Sequence, residues 1–422
     1  MIDDSRLRKN TIDTTGAGLF EPITIDGMTL RNRIVKAALH ENTARPDGLP
    51  TSSTRELYER WAYGGAGLLI TGEAYVNRAG QVLPRQHGAH ADAVIPAWRA
   101  ITAIVHRAGA RIAMQLNHGG RQIKPRPLNG HRPLAPSPAP NLLYFTWARA
   151  MSDQEIWQTI HDFGAAASRA KAAGFDAVEL HAAHGFLISS FLSPLTNRRN
   201  DDWGGDPERR FRFLAEVYRA VRAAVGDGFP VLCKLNVDDF VGLGLKPKES
   251  FAAARRLGEM GLSGLEISGG VVETITYAIR GGFPDDILAR GRSPLTRLYL
   301  EAAGSLRPRF EEAYFAPYTE ALKATLDLPL ILVGGIRTPG VAEEIVASGM
   351  ADLIAMGRPL IREPRLPNMW AVGNRQTASC RSCNRCLAEM DQGNTLQCYC
   401  SSGRRAVPGN AAQHNHCVSP VG

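Results

Sequence analysis

The sequence predicts an α/β fold, a single (β/α)8 TIM barrel with a short N-terminal hairpin and a Cys-rich C-terminal extension. Three observations lead there. Eight short apolar, β-branched runs are each followed by a helical pattern of ten or more residues. The runs are almost continuously apolar, as strands are when helices cover both faces of a parallel sheet. The residues able to do chemistry gather at the C-terminal ends of those runs, the face on which barrels build their sites. A chain of 422 residues, 44% hydrophobic and 21% charged, has the apolar content to fill such a core, and barrels of this size need not divide into smaller domains. A doubly wound open sheet would rarely repeat its unit eight times so regularly.

The predicted strands cover residues 34–39, 67–76, 111–118, 177–184, 230–237, 264–270, 329–335 and 351–358. Ahead of the first, residues 21–30 read as two short strands around Asp26-Gly27, a hairpin turn placed to plug the bottom of the barrel. Two excursions break the rhythm, residues 119–141 after the third strand and 271–309 after the sixth, and both leave from the active face. A substrate lid is expected of at least one. Asp206 reads as a helix N-cap, with Pro207 at the first helical position and Glu208 in the first turn. The chain thus divides into a mobile arm (1–18), the barrel (19–370) and a Cys-rich extension with a polar tail (371–422).

The formal charge of +8 comes from Arg residues scattered over helices and one loop. Without a basic stripe or interleaved aromatics, this argues against nucleic acid and for a small anionic ligand. The first 18 residues are polar, so neither a secretory leader nor a membrane span is expected and a cytoplasmic location follows. The expected partner is a small-molecule substrate, with no membrane; a homo-oligomer is the common state of large enzymes.

At the predicted strand ends stand Ala37-Ala38-Leu39-His40, Glu73, Gln115, His181 and His184, Lys234, Gly335 with Arg337, and Gly357-Arg358. Loops after the seventh and eighth strands are the usual phosphate site of this architecture, where amides at Gly turns and an Arg fork hold a dianion. From here the sequence resembles the Old Yellow Enzyme type of NAD(P)H:flavin oxidoreductase, which includes the barrel portions of dienoyl-CoA reductase and trimethylamine dehydrogenase. The likeness runs from residue 19 to 366 and is strongest in LFEPITIDGMTLRNRIV, in ELHAAHGFLISSFLSPLTNRRNDDWGGDPERRFRF, and in LVGGIRTP followed by ADLIAMGRPLI.

The resemblance implies FMN as cofactor and NADH or NADPH as reductant. It implies Ala37, Ala38, Leu39 and His40 beneath the isoalloxazine, and Glu73 (or Gly72, one residue earlier) at the second strand end. Gln115 would bond the pyrimidine edge, Lys234 would stand near N1 where negative charge develops, and Gly335, Arg337, Gly357 and Arg358 would hold the phosphate. His181 and His184 match the pair that donates to a substrate carbonyl or phenolate oxygen. The implied activity is ene-reductase-like hydride transfer to an α,β-unsaturated carbonyl compound or related electrophile, with His181, His184, His40 and Lys234 as catalytic residues.

Two positions depart from the pattern. Phe186 stands where many relatives have a Tyr that protonates the substrate α-carbon, leaving His40, Tyr75, Tyr277 or water as the proton source. His40 stands where several relatives have Cys or Thr.

Six of the seven cysteines crowd after residue 379, and Cys380, Cys383, Cys386 and Cys398 are spaced C-x2-C-x2-C-x11-C. That spacing suits a [4Fe-4S] cluster, and the resemblance strengthens it; a structural zinc or an empty, vestigial site is the alternative, because the chain ends soon after and leaves a relay without a second flavin. Cys400 is an alternative fourth ligand, and Cys417, His414 and His416 read as an incidental tail. Two other functions stay open: oxidative amine or C–H dehydrogenation of the trimethylamine dehydrogenase type, and a non-catalytic module that binds a phosphorylated ligand or a cluster.

Overall fold

Eight parallel strands close on themselves in the computed structural model, which describes residues 16–141 and 143–400. They are β1 (Ile34–Lys36), β2 (Leu68–Ile70), β3 (Arg111–Asn117), β4 (Ala177–Ala182), β5 (Val231–Asn236), β6 (Gly264–Ser268), β7 (Leu330–Val333) and β8 (Leu353–Met356). Each pairs with the next in parallel, and β8 pairs with β1 from Ile354↔Ile34 to Met356↔Lys36, which removes both sheet edges. Every predicted run contains its strand. The runs outlast the ladders because their last residues, Leu39, Glu73, His184 and Arg358 among them, leave the sheet to line the mouth.

Helices α1 (Ser52–Tyr63), α2 (Val94–Arg107), α3 (Asp153–Ala172), α4 (Pro207–Val225), α5 (Pro247–Glu259), α6 (Ala316–Lys323), α7 (Pro339–Ala347) and α8 (Leu366–Ala371) surround the barrel. Their starts follow from sequence. Ser152 and Glu155 form a reciprocal capping box on α3, and the Asp206 carboxylate accepts the Arg209 amide at 2.9 Å ahead of Pro207 on α4.

The expected hairpin pairs Ile23–Ile25 with Met28–Leu30. Asp26 and Gly27 both take positive φ, 43° and 82°, as a two-residue turn matched to strand twist requires. Its alternate residues Ile23, Ile25, Met28 and Leu30 are buried in one cluster with inward-facing Val35, Leu68, Ala113, Leu232, Ile331 and Leu353. The hairpin is therefore the floor of the barrel, and apolar side chains fill the interior directly above it.

The two excursions are folded. The first carries a three-stranded sheet (Leu134–Ala135, Ala139–Asn141, Thr146–Ala150), and the second three helices (Ile275–Ala278, Asp285–Leu288, Pro294–Ser305). The extension contributes a helix, Arg385–Asp391. These pieces are bolted together by charge. Arg121 forks onto Glu273 at 2.6 and 2.7 Å, and Asp391 collects Lys124, the Tyr144 hydroxyl and Arg292, each at 2.9 Å. Residues 1–15 and 401–422, with Cys417, His414 and His416, lie outside the described residues.

Replacing Asp206 with Ala removes the only side-chain acceptor at the start of α4, and about 1 kcal/mol of stability is expected to go with it. Chemical denaturation measures this as a lower midpoint with unchanged slope.

Candidate active site

A cavity of about 210 Å³ opens at the C-terminal mouth of the barrel. Its lining includes Ala37, Ala38, Leu39, His40, Glu73, Gln115, His181, His184, Phe186, Lys234, Gly335, Gly357 and Arg358, residues drawn from seven strand ends. Of the residues expected at a flavin and its phosphate, Arg337 is the exception. Its guanidinium turns away to Glu312 and the Cys380 carbonyl and lies 4.8 Å from the Phe310 ring. The reason is local: the amides of Arg337 and Thr338 both donate to Glu312, which draws this stretch toward the segment before α6. Gly72 is likewise not in the lining; its amide donates to Glu41, and Glu73 is the residue that faces the cavity.

Beneath the cavity lies a buried charged layer. Lys234 and Glu266 face each other at 3.0 Å, and the Gln115 amide donates to Glu179 at 2.6 Å. Burial opposes the Lys234 charge, but the carboxyl groups of Glu266 and Glu179 outweigh it and hold its pKa above the usual value. Glu179 is pushed well above the carboxylate range, first by burial and then by Glu266. A fixed cation therefore sits under the cavity, and the Gln115 side chain is oriented before any ligand arrives.

The histidine pair occupies the end of β4. His184 is in the left-handed region at φ 62°, held there by its amide on Asn236 and by Nε2 against Ser268 Oγ at 2.7 Å. The Ala183 amide donates to His181 Nδ1 at 3.3 Å, so the neutral ring carries its proton on Nε2. Burial first, then the neighbouring positive charge, lowers both pKa values, His184 to about 3 and His181 well below normal. At neutral pH both rings are neutral hydrogen-bonding groups rather than cations.

His40 and Glu73 form a separate dyad. Nδ1 of His40 meets the Glu73 carboxylate at 2.9 Å, while its buried Nε2 has no partner among the described residues. Of the other proton sources named from sequence, the Tyr75 hydroxyl donates to the Asp47 carbonyl and Tyr277 stacks on Phe240 at 4.8 Å; neither lines the cavity. Phe186 packs against His181 at 4.8 Å between centroids.

The residues present fit an FMN. Small Ala37 and Ala38 leave room for a planar ring, and Gln115 and Lys234 serve its polar edge. At the far end, a Cβ on Gly335 would fall 2.7 Å from the Glu311 carbonyl, so only glycine permits that backbone. Arg358 lines the same end, its Nη1 held by the Arg280 carbonyl and Asn384. Sequence reasoning missed Tyr314, whose ring packs over Gly334 and Gly335 and whose hydroxyl donates to Ala278; no spacing signal marks it.

A small neighbouring cavity is lined by Cys380, Cys383, Cys386, Cys398 and Cys400, with Arg358 shared between the two. Left-handed Ser382 and Asn384 coil the chain between the first three thiols. Among the described residues no group of three His, Cys, Asp or Glu side chains is placed to hold a metal ion, so neither the expected cluster nor the alternative zinc finds support in the geometry. Burial pushes the Cys386 thiol up to about 12 and raises Cys380, so any soft metal would have to displace their protons.

Glu41, missed from sequence, braces the mouth from behind. It accepts from Tyr58 at 2.6 Å and from the Gly72 amide at 2.8 Å, beside His87 and Lys36 at 3.4 and 3.7 Å. Burial alone would raise its pKa; His87, Lys36 and Tyr58 outweigh burial and bring it down to about 2. Because the folded value lies below the unfolded one, this carboxylate stabilises the fold above pH about 4.5, and the contribution disappears as pH falls toward 2. Denaturant midpoints taken across that window should drop less steeply in Glu41→Gln than in the unaltered protein.

The profile of proteins described as the NADH:flavin oxidoreductase / NADH oxidase family matches residues 18–284 and 300–376. NADH oxidase of Thermoanaerobacter brockii is 35% identical over 368 residues, 87% of this chain and 52% of that protein. NADPH dehydrogenase of Bacillus subtilis is 33% identical over 351 residues, 82% of this chain and 92% of that protein. Among solved structures, a 2-naphthoyl-CoA reductase complex superposes with a TM-score of 0.77 at 25% identity, covering 87% of this chain and 54% of the other. The chain thus spans about half the length of some relatives and nearly all of others. Profile, relatives and barrel agree: the chain belongs to the NADH:flavin oxidoreductase / NADH oxidase family.

Proposed function

We propose that the chain is an FMN-dependent oxidoreductase that draws hydride from NADH or NADPH and delivers it to an α,β-unsaturated carbonyl compound or a related electrophile. The observation that carries this reading is the meeting of Gln115, Lys234, His181, His184 and Arg358 on one cavity. Bound FMN supplies the hydride-transfer chemistry. The chain's own groups do the rest. Arg358 with the Gly335 and Gly357 turns anchors the phosphate, Gln115 fixes the pyrimidine edge, and the Lys234 cation offsets negative charge near N1. Neutral His181 and His184 hydrogen-bond the acceptor oxygen, which gains charge as the β-carbon accepts hydride.

His40 is the residue we assign to protonation, since Phe186 has no proton to give. With a second proton on Nε2, the ring remains paired with Glu73 through Nδ1; passing that proton to the α-carbon returns it to the neutral form, and solvent recharges it. For the cysteines we propose a four-iron cluster rather than a single ion, because a cubane spreads its thiolates over four metal atoms and does not need three of them on one.

The purified protein should be yellow, bleached anaerobically by NAD(P)H and restored by an enone. His181→Ala should lower kcat/KM for the enone by about 10²–10³-fold. His40→Gln should slow enone turnover with flavin reduction retained, and should scramble the face on which solvent deuterium enters the α-carbon. A protein that stays colourless after reconstitution, or NAD(P)H oxidation that no enone accelerates, rules the proposal out; iron and sulfide analysis of anaerobic protein decides the cluster.

A further inference from the structure

A second hollow, of about 300 Å³, lies over the mouth and shares His40, Glu73, His184 and Phe186 with the first. Its other walls come from outside the barrel strands: Tyr144 just past the first excursion, Phe283, Leu288 and Leu300 from the second, with Leu387 and Met390 of the helix of the Cys-rich extension lining both hollows. It therefore opens on His184, with His181 in the adjoining cavity, yet is built largely from segments that differ in origin from the strand ends.

Size and charge narrow its occupant. An apolar cavity of about 150 Å³ accommodates one benzene ring, so twice that volume calls for a fused body of two or three rings. No Lys or Arg is among its lining residues. The nearby cations are spent behind the wall, Lys124 and Arg292 on Asp391 and Arg290 on Glu389. The acidic groups that do reach the hollow are already partnered, Glu73 by His40 and Asp391 by Lys124 and Arg292; since the lining presents no cation of its own, a ligand carboxylate would lose its water without gaining a partner.

We infer that this vestibule takes a neutral, multi-ring hydrophobic carbonyl compound, with the oxygen at His181 and His184 and the ring body against Phe283, Leu288 and Leu300. The inference rests on the reading of the histidine pair given above and adds the substrate class to it. It also makes the Cys-rich extension a specificity element, because Leu387 and Met390 sit on the helix that carries Cys386.

Calorimetric titration of the oxidised, flavin-loaded protein tests this without turnover. The probes are neutral cyclic enones of one, two and three fused rings, and the two-ring enone bearing a carboxylate on its distal ring. Dissociation constants should fall at least about tenfold from one ring to two, and the carboxylate should raise them at least about tenfold. Ala303→Trp, which fills the vestibule from the Pro294–Ser305 helix, should abolish the gain from the second ring while flavin content is unchanged, and Leu288→Trp should do the same from the neighbouring helix. Equal affinity for one and two rings, preference for the carboxylate, or a ring-size gain untouched by both variants overturns the inference. Tight binding of multi-ring enones that are never reduced would sustain the vestibule and defeat the proposed activity; rapid reduction with no size preference would do the reverse.

Discussion

Lys234 and Glu266 face each other across two neighbouring strands with almost no access to water. Removing either partner would strand the other charge in the barrel, at a cost of about 3–5 kcal/mol, so the pair ties the reactive layer to the integrity of the fold. Below it, the hairpin and inward-facing aliphatic residues make a dry floor. Above it, polar, small and apolar side chains together surround an open cavity. The level of this ion pair is where the barrel stops being a packed core and becomes a container.

The lining of the mouth is shared between rigid and added parts. Strand ends supply the groups that must hold a fixed geometry, which is the economy of the barrel. The pieces that shape the approach to them arise from two long connections and the C-terminal extension, and Asp391 is where all three meet. Its partners are partly buried and charge-assisted, so they exceed what a solvated surface pair contributes. The walls of the vestibule are thereby tied to one another through a single carboxylate.

The barrel was legible because its signals are local and repeated: apolar runs at strand length, caps such as Asp206-Pro207, and the Asp26-Gly27 turn each act over a few residues. The strand-end site was legible for the same reason, with family motifs naming residues that the closed sheet then gathers. Three features were not. Arg337 faces Glu312 instead of the cavity, because the pull of a residue 25 positions earlier leaves no trace in the motif. Glu41 and Tyr314 act through contacts that only closure of the barrel creates. The folded state of residues 119–141 and 271–309 escaped a reading based on Pro and Gly content, since their short elements are tied down by long-range ion pairs such as Arg121 with Glu273 rather than by propensity.

Arg358 forms part of two walls at once, the glycine-rich end of the mouth cavity and the thiol-lined hollow beside it. Its positive charge favours the ionised forms of Cys380 and Cys386 and of Tyr314 alike. One guanidinium thus gives both compartments the same electrical neighbour, and truncating it would strip positive charge from the two at once.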